Sequence, residues 1–245
     1  MNELKNQLFP KRSSGILEEI IYSSHDSTDY LHHYWLKNTS KEAIIIANQY
    51  FGIEELMKES FLYVSPIKSN ELTSSSRFAT IIRESCNLYE ILCKKVYFQL
   101  FDISKSTKLN IYKYLSLEHF FKINDQDLRS PVFHNYLETG ASIRPFKSLE
   151  NWDQESKINS DMIPKWWNAY NKIKHSAESY AEHATLNNAI YSLSALFLII
   201  RKIYGDGLIS GFLRKPTEGS EIHIYPIRNS DIFIGEIMKY RKTFN

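Results

Sequence analysis

Polar side chains recur along one face of a predicted helix that begins at Pro164, and their types suit chemistry on a phosphate ester. The residues on this face are Asn168, Asn171, His175, Ser179 and Glu182. Residues three or four positions apart lie on the same side of a helix. The opposite side carries Trp166, Tyr170, Ile173, Ala177, Tyr180, Ala181 and Ala184. Because the apolar side is expected to meet the core, His175 is expected to face solvent or a second chain.

This polar face offers groups that metal-independent RNA cleavage needs. Such cleavage requires a base for the 2′-OH, a positive group for the phosphate and an acid for the leaving oxygen. His175 can act as base or acid, because histidine titrates near neutrality. Lys174 or Lys172 can offset the phosphate charge, although lysine lacks the planar fork of arginine. The alternative is that His175 is a polar surface or dimer-interface residue with no chemistry.

Neighbouring side chains leave further alternatives open. Trp166 is expected to anchor the helix in the core, whereas Trp167 lies beside the apolar stripe and could instead stack on a base. Glu178 and Glu182 lie close to the polar face. Their carboxylates would repel phosphate, or they could orient the imidazole of His175.

Three segments together resemble a known group of proteins. Residues 166–175 read WWNAYNKIKH, residues 184–189 read ATLNNA, and residues 83–90 upstream read RESCNLYE. Together they resemble uncharacterised bacterial HEPN-like proteins, and the resemblance covers about residues 60–205. It implies a helical bundle. Many members of the wider superfamily are metal-independent endoribonucleases whose site forms where two protomers meet.

The resemblance implies roles for individual residues. His175 matches the histidine of the superfamily's Arg-to-His motif, and Asn171 matches its polar position. The motif arginine is missing, because its allowed positions hold Asn168, Ala169 and Tyr170. In the catalytic interpretation, His175 is the acid or base, Asn171 positions the substrate and Lys174 or Lys172 offsets charge. Asn168 and Trp167 complete the expected substrate-binding set.

Two functions follow from this resemblance. The first is an endoribonuclease or RNA-associated effector in a bacterial defence or toxin system. The second is a non-catalytic binding or scaffold module for RNA or a protein partner. A homodimer is expected in either case. Two His175 side chains meeting in one basic cleft would favour the nuclease, whereas a solitary His175 ringed by glutamates would favour the binding module.

Composition points to an all-α fold. The chain has 245 residues but only 8 Gly and 7 Pro, which favours long helices over a turn-rich β architecture. We expect a single domain over residues 1–245, with a HEPN-like bundle at 60–205, additional N-terminal helices and a short C-terminal extension. The net charge of +2 does not demand a nucleic-acid partner, but a local basic patch remains compatible with one.

Hydrophobic periodicity defines the expected elements. It predicts helices over residues 26–36, 41–51, 53–62, 77–101, 110–122, 164–184 and 186–204. The run Ser74-Ser75-Ser76 offers an N-cap before the fourth of these helices. Residues 221–226 alternate like a short edge strand. Basic residues from Arg201 onward, including Lys202, Arg214, Lys215, Arg228, Arg241 and Lys242, predict a solvated face or an RNA-binding patch.

Other site types and locations are excluded or disfavoured. The sequence has no phosphate-binding loop, dinucleotide fingerprint or paired-cysteine zinc motif, so we expect no cofactor and no metal. His25, Asp29, His32 and His33 have helical spacing, but solvated or hydrogen-bonded histidines are favoured over a metal site.

The start of the chain has no secretory signal, and the longest apolar run, residues 196–200, is too short to span a bilayer. Cys86 and Cys93 read as buried free thiols, which predicts a cytoplasmic protein.

Overall fold

A computed structural model describes the backbone of most of the chain. The described residues are 27–101, 107–117, 121, 128–129, 132, 136, 142–152, 156–175, 180–204, 230 and 233–235. Side chains are not described for residues 27–41, nor for 99, 129, 180–181 and 234–235. The described part is mostly helical, which confirms the predicted all-α class. Two-residue strands add a minor element, with β1 (Leu128–Arg129) antiparallel to β2 (Ile234–Gly235).

The helices of the described part vary widely in length. The α-helices are α1 (Ser27–Ser60), α2 (Ser76–Phe101), α3 (Ile111–Ser116), α4 (Lys165–His175), α5 (Tyr180–His183) and α6 (Leu186–Tyr204). Short 3-10 helices cover Lys68–Asn70, Lys147–Leu149 and Ser160–Met162. None of the described helices has the length and apolar character needed to cross a membrane.

The first helix corrects the sequence-based expectation of three short helices. Helix α1 is continuous from Ser27 to Ser60, through the polar run at residues 38–40 and through Gly52. Its buried side chains recur at helical spacing, at Ala43, Ile46, Ala47, Tyr50, Ile53 and Met57. This stripe packs on α2 and α6. Tertiary packing of one face therefore outweighs the low intrinsic helix propensity of glycine and of small polar residues.

Helix α6 is the centre of the bundle. It contacts α1, α2 and α4, and Tyr191 is its only residue between Ala189 and Tyr204 that is not buried. The predicted bounds of α6 are confirmed, and those of α2 are confirmed to within one residue. Arg201 and Lys202 are also buried, so the expected solvated basic face does not begin there. Arginine can be buried here because its long aliphatic stem packs in a core. Its guanidinium lies 5.6 Å from the Phe197 ring centroid, within reach of a cation–π interaction.

The connection between α1 and α2 aligns the first turns of α2 and α6. Ser75 caps α2 as predicted, since its hydroxyl accepts from the Phe78 N–H at 3.1 Å. The Ser75 N–H donates to the Ala184 carbonyl at 3.1 Å, and the Leu186 N–H donates to the Thr73 carbonyl at 2.9 Å. These backbone bonds hold the N-terminal ends of α2 and α6 side by side.

The predicted helix over residues 164–184 corresponds to two described helices. Residues 165–175 form α4 and residues 180–183 form α5, while residues 176–179 lie outside the described part. Ala184 is buried just after α5. The expected strand at residues 221–226 also lies outside the described residues, as do His25, Arg214, Lys215, Arg228, Arg241 and Lys242.

Candidate functional site

Aromatic packing fixes the inner side of α4. Trp166 is 2% exposed, and its indole N–H donates to the buried carbonyl of Pro145 at 2.8 Å. Its ring meets Tyr89 of α2 edge-on at 5.4 Å and Phe146 at 5.8 Å between centroids. These contacts satisfy both the apolar body and the polar end of the indole. The prediction that Trp166 anchors α4 in the core is confirmed.

Trp167 also belongs to the core, which corrects its expected place on a substrate-binding surface. It is 4% exposed. Its ring contacts Tyr89 at 6.0 Å, Tyr114 of α3 at 6.1 Å and Tyr170 at 5.1 Å. An indole surrounded in this way has no free face for a nucleotide base. The sequence left Trp167 ambiguous because the tyrosine of α3 that covers it lies far away along the chain.

The outer side of α4 carries four of the predicted residues. Asn168, Lys172 and His175 are exposed and Asn171 is half-buried. Their spacing of three, one and three residues places all four on one stripe, which we call the outer stripe. The prediction that His175 faces away from the core is confirmed. Helix α4 contains three lysines, at positions 165, 172 and 174, and no acidic residue.

His175 lies at the C-terminal end of α4. No hydrogen bond or ion pair joins its imidazole to another residue of the described part. Glu182 is exposed, and its carboxylate lies 3.9 Å from the His183 imidazole. Glu178 and Ser179 lie outside the described residues. Within the described chain, therefore, the side chain that could act as acid or base has no partner to orient it.

Lys174 is turned away from the outer stripe and toward Tyr170. Its ammonium donates to the Tyr170 hydroxyl at 3.3 Å and lies 5.3 Å from the ring centroid. The hydrogen bond with Tyr170 raises the pKa of Lys174, which keeps the ammonium charged. Burial raises the pKa of Tyr170 despite the nearby lysine, so its hydroxyl stays neutral. The contacts with Tyr170 therefore restrict the side-chain conformations of Lys174.

Two polar residues of α2 lie at the junction where α2 packs on α4. The sequence alone did not assign them a role. The Tyr170 hydroxyl donates to Asn87 Oδ1 at 2.7 Å. Glu90 lies 2.7 Å from the Lys94 ammonium and accepts from the Tyr114 hydroxyl at 3.2 Å. Both residues fall in the segment 83–90 that carries part of the resemblance. Both are polar residues of an amphipathic helix that carries other charged side chains, so nothing local pointed to α4.

Metal-binding geometry is not found in the part of the chain with described side chains. No group of three or more His, Cys, Asp or Glu residues there could hold an ion. The side chains of Asp29, His32 and His33 fall outside that part. The polar groups available at α4 are therefore amides, ammonium groups and one imidazole. The amides and ammonium groups can bind anionic or polar ligands, and the imidazole can also transfer a proton.

Comparison with known proteins gives no assignment. No protein-family model, curated protein or solved structure matches this chain significantly.

Proposed function

We propose that this protein is a HEPN-like helical-bundle protein that binds RNA through the outer side of α4. One observation carries the proposal. The solvent-facing side of α4 presents amide, ammonium and imidazole groups with no acidic residue, while its opposite side is fixed in an aromatic core. A rigid helix that displays only neutral and positive polar groups suits a polyanion, because little ordering is needed when the ligand binds.

Each group on this side has a defined use toward RNA. Lys172 can approach a phosphate as a point charge, and the amides of Asn168 and Asn171 can donate to phosphate or base oxygens. Local charge matters more here than the net charge of +2 for the whole chain. The cations near the end of α4 also offset the helix dipole. Offsetting the helix dipole would not by itself require Asn168 and Asn171 to lie on the same stripe as Lys172 and His175.

Metal-independent RNA cleavage is the second candidate, and the exposure of His175 favours it. In a homodimer, two His175 side chains could serve as base and acid, with Lys174 or Lys172 offsetting charge. The missing motif arginine and the absence of a described partner for His175 favour binding without cleavage. A cytoplasmic location rests on the two free thiols, and a defence or toxin role rests on the resemblance alone. A protein partner in place of RNA is the outcome to expect if RNA fails to bind.

Binding is tested with a fluorescently labelled single-stranded RNA of mixed sequence, by anisotropy at several salt concentrations. Replacing Lys172 by alanine should weaken binding and lower the slope of log affinity against log salt by about 0.7, the value for one lost phosphate contact on a single strand. The matched control is Lys157→Ala, which removes an exposed lysine outside α4. Equal effects of the two substitutions, or no binding by the folded wild type, would contradict the proposal.

Cleavage is tested on the same RNA with a chelator present, comparing wild type with His175→Ala. Products with 2′,3′-cyclic phosphate ends that disappear in the variant would establish the nuclease. Binding that persists in both proteins without any cleavage would leave the binding module as the function.

A further inference from the structure

The junction of α2 and α4 contains a chain of hydrogen bonds whose direction is fixed by chemistry. Lys174 has only donors, so its ammonium must donate to the Tyr170 hydroxyl, 3.3 Å away. That hydroxyl then directs its single proton to Asn87 Oδ1 at 2.7 Å. The order Lys174 to Tyr170 to Asn87 also sets the orientation of the Asn87 amide. With Oδ1 directed at the Tyr170 hydroxyl, the amide nitrogen is the donor that remains for a ligand.

Most of the hydrogen-bonding capacity left unused at this junction belongs to donors. The Lys174 ammonium has three N–H groups and spends one on Tyr170. The Asn87 side chain is exposed, and no described residue accepts a hydrogen bond from its amide nitrogen. The ammonium and the amide nitrogen therefore flank one hydroxyl. Free N–H donors on an ammonium and on an amide favour a ligand rich in acceptors, which an anion supplies.

The carboxylate that interacts electrostatically with Lys174 does not cancel this preference. Glu90 belongs to the same stretch of α2, but its Oε1 lies 2.7 Å from the Lys94 ammonium and accepts from Tyr114. Its charge is thus already offset by a lysine of its own helix. Lys174 remains the excess positive charge, and its contact with Tyr170 removes part of the rotamer freedom that a lysine loses on binding.

We propose that Asn87 and Lys174 form an anion subsite at the junction of α2 and α4, with Tyr170 as the positioning residue. The identity of its ligand, a backbone phosphate of single-stranded RNA, rests on the function proposed above. The subsite extends the RNA-binding surface from the outer stripe of α4 onto α2. Tyr170 does not touch the phosphate and acts by holding Lys174 and orienting Asn87.

A double-mutant cycle with the labelled RNA tests the positioning role. Tyr170→Phe keeps the buried ring and removes only the hydroxyl, and we expect three- to fivefold weaker binding with an unchanged salt slope. Lys174→Ala should weaken binding about tenfold and lower the slope by about 0.7. The double variant should lose less affinity than the product of the two single losses, because Tyr170 acts in part through Lys174. If the loss of affinity in the double variant equals the product of the two single losses, the positioning role is overturned. Tyr112→Phe, at an exposed tyrosine, is the control.

A titration with inorganic tripolyphosphate separates the subsite from the RNA proposal. The side-chain amide resonances of Asn87 should shift saturably in wild type and stay unchanged in Lys174→Ala. Saturable shifts in a protein that does not bind RNA would support the subsite and overturn the RNA function. Absence of shifts would overturn the subsite, whether or not RNA binds.

Discussion

Ser85 carries a buried hydroxyl that has no hydrogen-bond partner in the described structure. It lies in the interior of α2 and is 0% exposed. An unpaired buried hydroxyl costs free energy, and alanine is the better helix former. We expect Ser85→Ala to raise the free energy of unfolding by about 1 kcal/mol, measured by urea denaturation.

The control for this substitution is Ser192→Ala on α6. The Ser192 hydroxyl is equally buried but donates to the Ala189 carbonyl at 3.0 Å. Its removal should leave stability unchanged or lower it slightly, since one satisfied bond is lost. A loss of stability in Ser85→Ala larger than in Ser192→Ala would show that the Ser85 hydroxyl has a partner in solution.

Residue spacing was sufficient to predict the outer stripe of α4, but not the contacts that complete the junction. Asn168, Asn171 and His175 were placed on it by the period of one helix, which is a local property. The bond from Tyr170 to Asn87 joins residues 83 positions apart. No local pattern encodes such a pairing, because it depends on how two helices pack.

On the scale of a single helix, Gly52 is a weak point of α1. It is exposed, and a Cβ atom built there would meet no atom within 4 Å. Glycine in a helix interior is less favourable than alanine, because it has more backbone freedom to lose on folding. Gly52→Ala should raise the free energy of unfolding by about 0.5 to 1 kcal/mol, as measured by thermal or urea denaturation.

Proline at the same position gives the opposite test. Gly52→Pro should lower stability by about 3 kcal/mol or more, because proline removes an N–H donor and clashes with the preceding turn. Equal tolerance of alanine and proline would mean that α1 is not a continuous helix at this point in solution.

Helix α1 also shows why some elements could be predicted and others could not. Helices α2 and α6 carry dense apolar stripes, so periodicity alone located them. In α1, Gly52 and the polar residues 38–40 predicted breaks. The buried stripe from Ala43 to Met57 instead holds the helix together against α2 and α6. Sequence propensity is a weak prior where tertiary burial is extensive.

On the scale of the whole molecule, residues near the C-terminus belong to the core. Phe233 is 1% exposed, and its ring lies 5.4 Å from that of Phe197 on α6. Phe233→Ala should lower the free energy of unfolding by about 3 to 5 kcal/mol, because it leaves a cavity. Tyr112→Ala, at a residue 40% exposed, should change it by less than about 0.5 kcal/mol. Similar small losses in both variants would mean that Phe233 does not pack there in solution.

The two thiols provide a probe of global opening. Cys86 and Cys93 are fully buried in α2, and burial raises the pKa of each thiol well above its usual value. The thiolate is the reactive form, so a thiol reagent should not label the native protein at neutral pH. Both cysteines should react fully in denaturant. Rapid labelling without denaturant would show that α2 separates from the bundle at low cost.

Glu54 is a buried carboxylate whose partners come from distant parts of the chain. It is 0% exposed, accepts from the Tyr50 hydroxyl at 3.1 Å and also accepts from the Ser230 hydroxyl. Ser230 follows Glu54 by 176 residues. At typical ribosomal rates, synthesis of that interval takes roughly 10 to 35 seconds. Glu54 therefore stays without the Ser230 hydroxyl until the chain has been made at least as far as residue 230, and the bundle cannot reach its final state before then.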